Sequence, residues 1–76
     1  MEAKEKLEWA ENELRFFDEM IIKYSLKIVG YKNALEITTP YDHEIKNKLE
    51  ADSRILVAYK AQYVSMLETI KYIKNL

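Results

Sequence analysis

The stretch ITTPYDHE, residues 37–44, holds the only proline and the only histidine of the chain. Its reading decides the fold. Proline restricts the residue before it to extended geometry, so Thr39 cannot continue a helix, and any helix entering from the N-terminal side ends by Ile37 or Thr38. Thr39 is at the same time a good N-cap, and Pro40 suits the first helical position, where its missing N–H costs nothing. Asp42 then supplies a capping-box acceptor and a negative charge beside the new helix N-terminus. The stretch is therefore predicted to be a corner between two helices. The competing reading makes Asp42, His43 and Glu44 a metal or acid–base site. Consecutive helical residues diverge by about 100°, so the three side chains do not converge. Four residues after His43 comes Asn47, so the i, i+4 ligand spacing is missing too.

Away from the corner, Gly30 alone interrupts helix-compatible sequence. In the first half Leu7, Leu14, Ile21, Ile28 and Leu35 recur every seven residues, with Ala3, Ala10, Phe17, Tyr24 and Tyr31 at the companion position. In the second half Leu49, Leu56, Tyr63 and Ile70 repeat the pattern, with Ile45, Asp52, Tyr59, Met66 and Ile73 beside them. These are sustained a/d heptads. The expected fold is all-α: a long antiparallel, coiled-coil-like hairpin in one domain over 1–76, with helices at about 3–37 and 40–75. A short turn makes such helices antiparallel neighbours. Residues whose numbers sum to about 80 then face each other: Leu35 and Ile45, Tyr31 and Leu49, Phe17 and Tyr63, Leu7 and Ile73.

Charge agrees with that register. Residues 1–19 hold seven acids and three bases, net −4, and residues 53–76 hold four bases and one acid, net +3. Residues 20–35 carry three bases, whereas 36–52 carry five acids and two bases. Each segment meets one of opposite sign in the hairpin. Over the whole chain the net charge is only −1, which provides no basic field to gather nucleic acid. Cysteine is absent, so disulfide and thiolate–metal frameworks are excluded. MEAKEKLEW at the start is not a signal peptide, and the apolar run 20–30 is broken by lysines, so a soluble cytoplasmic protein is expected. Abundant Lys, Ile, Tyr and Asn fit an AT-rich genome such as that of a phage or another mobile element.

No nucleophile–base pair or glycine-rich phosphate loop is present, so no enzyme, cofactor or metal is expected. Asp52 departs from the apolar seam; it is read as a register-setting polar residue within reach of the Tyr24 and Tyr31 hydroxyls, or else as a buried acid tuned for switching. Outside the seam two sides of the hairpin are too apolar for a solvated pair of helices. One carries Ile22, Leu26, Val29, Val57, Val64 and Leu67 and is expected to self-associate into a homodimeric four-helix bundle, or a tetramer. The other carries Trp9, Phe16, Met20 and Tyr72, residue types that anchor interfaces, and is expected to take a protein partner. The function read from these features is a non-enzymatic regulator or inhibitor that docks on another protein. Alternatives are a nucleic-acid-binding bundle using Lys23, Lys27, Lys32 and Lys60, or a scaffolding subunit; neither nucleic acid nor a membrane is the expected partner.

Overall fold

The computed structural model describes residues 2–37 and 42–76. The described residues form two helices, α1 (Ala3–Ile37) and α2 (His43–Lys74), packed side by side along their length as a hairpin. The body measures 55 × 15 × 14 Å, close to the roughly 50 Å that 35 residues span at 1.5 Å each.

The start of α2 differs from the expected one. Asp42 itself is the N-cap, with φ −73° and ψ 93°, and its Oδ1 accepts from the Ile45 N–H at 3.2 Å. Thr39 and Pro40, the expected cap and first helical residue, lie outside the described residues. Both Thr39 and Asp42 are competent caps, but a carboxylate accepts more strongly than a hydroxyl and also meets the positive end of the helix dipole. Glu44 in the first turn of α2 and Lys71 and Lys74 in the last add to that dipole interaction. Replacing Asp42 by Ala is expected to cost about 1 kcal/mol in denaturant unfolding.

The heptads form the seam as read. Every a/d position is buried or half-buried except Ala3, which sits in the first turn beyond the reach of α2. At the open end Ala10, Ile70 and Ile73 form the buried cluster, with Leu7, Leu14 and Met66 packed on it. These are the pairs with numbers summing to 80: Ala10 with Ile70, Leu7 with Ile73, Leu14 with Met66. Further along, the Tyr59 ring lies 6.3 Å from Phe17 and 5.8 Å from Tyr24, between two α1 residues seven apart. That is a knob entering a hole, and it leaves the register unchanged.

Segment charges do not turn into cross-helix contacts. Among the described residues the ion pair that closes is Lys48–Glu44 at 3.3 Å, one turn apart within α2. Such exposed i, i+4 pairs contribute about 0.3–0.5 kcal/mol. Apolar packing along the seam, not ion pairing, therefore holds α1 against α2.

Candidate functional site

Asp42, His43 and Glu44 do not gather. The Asp42 carboxylate caps α2, Glu44 pairs with Lys48, and His43 is exposed on the first helical turn. Among the described residues no three His, Asp or Glu side chains converge where an ion could be held.

Asp52 lies half-buried, like most of the seam. Tyr31 is the group that responds: hydrogen bonding of its hydroxyl to the Asp52 carboxylate, then desolvation, raise its pKa above the ordinary value. A donor to an anion is held in its neutral form. The stabilisation is therefore complete below the unfolded-state pKa of about 10 and is lost as pH rises through the higher folded-state value. In an absorbance titration Asp52→Asn is expected to bring the late-ionising tyrosine back toward that value, and Tyr31→Phe to remove it. A titration curve unchanged by Asp52→Asn would contradict the contact. The Asp52 pairing expected with Tyr24 is not made; Tyr24 instead stacks on Tyr59, with Lys27 over its ring at 5.0 Å and Lys23 at 5.8 Å.

The outer sides of the hairpin are the remaining features with functional content. A compact monomer of 9.1 kDa exposes about 4,900 Å²; this chain exposes 5849 Å². The excess includes many large apolar side chains. Ile22, Leu26, Val29, Val57, Val64 and Leu67 are all exposed on one side, as the heptad positions require. On the other side Trp9 is 50% exposed, Phe16 46% and Tyr72 68%, with Met20 half-buried.

The Trp9 side has relief. At the open end Trp9 and Tyr72 flank a groove of about 420 Å³ completed by Lys6, Thr69 and Ile73. Phe16 stands next along α1 with its ring edge-on to Phe17 and Tyr59, at 5.7 and 6.2 Å. Toward the turn the same side flattens onto Gly30, Ala51 and Ala58, all exposed. Sequence reading placed Trp9 and Tyr72 on this side but not the groove between them, which is completed by Lys6, Thr69 and Ile73.

Lys23, Lys27, Lys32 and Lys60 do not form one basic strip. Lys32 follows Lys23 by nine residues, about 180° around α1, so the strip divides between the two sides. No helix among the described residues is long and apolar enough to cross a membrane. No family model, curated protein or solved structure matches the chain.

Proposed function

We propose that the chain is a non-enzymatic interaction module: a hairpin that pairs with a second copy and, as that dimer, docks on a partner protein to regulate or inhibit it. The observation that carries this reading is the apolar surface exposed on both sides of the seam. Side chains such as Trp9, Ile22, Val57 and Tyr72 are half or more exposed in the single hairpin, and a chain that keeps them exposed invites association.

Area supports a second copy as the first partner. A compact body of twice the mass exposes about 8,100 Å², whereas two separate hairpins expose twice 5849 Å². Closing that gap buries about 3,600 Å², within the range of about 2,000–5,000 Å² found for obligate homodimers. Such a dimer uses one side of each hairpin and leaves the other for the partner.

As immobilised bait, the wild-type chain is expected to retain a protein from a lysate of its source cells. Variants altered on one side, Ile22→Asp with Val57→Asp or Trp9→Ala with Phe16→Ala, should keep their helicity, and at least one should lose that protein. Undiminished capture by both variants would contradict docking through these sides.

A further inference from the structure

We infer that the second copy packs on the Trp9 side, antiparallel, with the two-fold axis beside Met20 and the two turns at opposite ends of the bundle. This rests on the dimer reading above and reverses the allocation of sides expected from sequence alone. It is carried by three features of the hairpin, beyond the area already given.

The first is what each side would place between two stacked hairpins. Residues roughly a quarter-turn from the seam meet the second layer of a four-helix bundle. On the Ile22 side these include Asp18, Lys32, Lys46 and Lys60, all exposed. A bundle built there would desolvate a row of charges. On the Trp9 side the corresponding positions hold four charges, Lys6, Glu13, Lys27 and Lys48, against seven on the Ile22 side, and the middle of the face is Met20, Ile55, Gln62 and Thr69.

Size sets the direction. Bulky groups stand at the open end, Trp9 on α1 and Tyr72 on α2, and the small ones lie toward the turn, Gly30 on α1 and Ala51 on α2. Turning one hairpin end for end about Met20 sets Trp9 against the second copy's Gly30, because 9 and 30 lie almost equally far from 20. The same rotation carries Tyr72 to the level of the second copy's Lys48, within one turn of its Ala51. Nothing within the hairpin calls for glycine at position 30. Its backbone has no positive φ, and a Cβ built there meets no atom within 4 Å. An indole from a second copy would occupy that open space.

Charge agrees. Glu13 and Lys27 are equally far from Met20, and among the described residues neither closes an ion pair. Lys27 is already on this side, over the Tyr24 ring. In the antiparallel dimer each Glu13 meets the second copy's Lys27, and two-fold symmetry makes the contact twice. With the turns at the same end α1 would face the second copy's α2, where Thr69 and Gln62 give Glu13 no cation.

Glu13 and Lys27 are fourteen residues apart on one helix, about 21 Å, so any exchange between them is intermolecular. In sedimentation equilibrium at low salt, Glu13→Lys alone and Lys27→Glu alone are each expected to weaken the dimer about three- to tenfold. An equimolar mixture of the two variants should recover wild-type affinity. In the mixed dimer one of the two contacts keeps its native charges and the other has them exchanged, so both are attractive. Single variants that dimerise as tightly as wild type, or a mixture that does not recover, would overturn this arrangement. Because cysteine is absent, an Asn47→Cys spin label supplies an independent distance. Asn47 is about 20 Å beyond the midpoint of the hairpin, so labels at opposite ends should be separated by about 40 Å or more. A separation under about 30 Å would place the turns together and overturn the proposal. A wild-type chain that stays monomeric at every concentration would instead remove the dimer reading itself.

Discussion

Phe17→Ala is expected to lower the unfolding free energy by about 3–5 kcal/mol, whereas Phe16→Ala, one residue away, should cost the hairpin less, about 1–3 kcal/mol. The difference comes from the seam. Phe17 is 8% exposed and packs on Tyr59, while Phe16 is 46% exposed and contributes only ring-edge contacts to Phe17 and Tyr59. Aromatic contacts of that kind contribute about 0.5–1.5 kcal/mol. A 76-residue domain has a total stability of only about 4–11 kcal/mol, so the Phe17 variant should be close to unfolding at room temperature. Circular dichroism in a denaturant series at matched chain concentration reads both values. Equal losses for the two variants would mean that the heptad frame is displaced by one residue.

The second large effect concerns association. Met20→Asp is expected to raise the dimer dissociation constant at least about a thousandfold, because both copies would bring an unpaired carboxylate to the same dry site, at a cost of several kcal/mol. Ile22→Asp, two residues along α1 and on the opposite side, should leave dimerisation within about threefold of wild type, as exposed substitutions usually do. The reverse ranking, with Ile22→Asp the disruptive change, would return self-association to the side of Ile22, Val57 and Val64 and leave the Trp9 side for the partner.

Much of this molecule is legible in its sequence, because a long hairpin is specified by local rules. The seven-residue recurrence from Leu7 to Leu35 and from Leu49 to Ile70 names the seam directly, and a single Pro-containing corner fixes the topology. Two details depend on competition between similar groups and are not legible that way. Thr39 and Asp42 are both good caps three residues apart, and the carboxylate is the one seen capping α2. Segment charges predict long-range attraction between α1 and α2 but no contacts, since e and g side chains can satisfy themselves in water as readily as across the seam.

The sides of the hairpin are a harder case. Exposure of Trp9, Phe16, Ile22 and Val57 follows from their heptad positions alone, and the structure bears it out. What the pattern omits is relief: a groove between Trp9 and Tyr72 at one end, and open space above Gly30 toward the other. Those features depend on which side chains fail to fill the volume around them. They turn a statement about apolar residues into one about shape, from which a direction of pairing can be argued.

Both the proposed docking and the proposed pairing direction require that the hairpin not remain alone, and the solution mass tests that directly. Sedimentation equilibrium of the wild-type chain from nanomolar to high micromolar concentration is expected to give twice the 9.1 kDa chain mass, with no further growth at the upper end. A mass of 9.1 kDa throughout, or growth without limit as concentration rises, would contradict it.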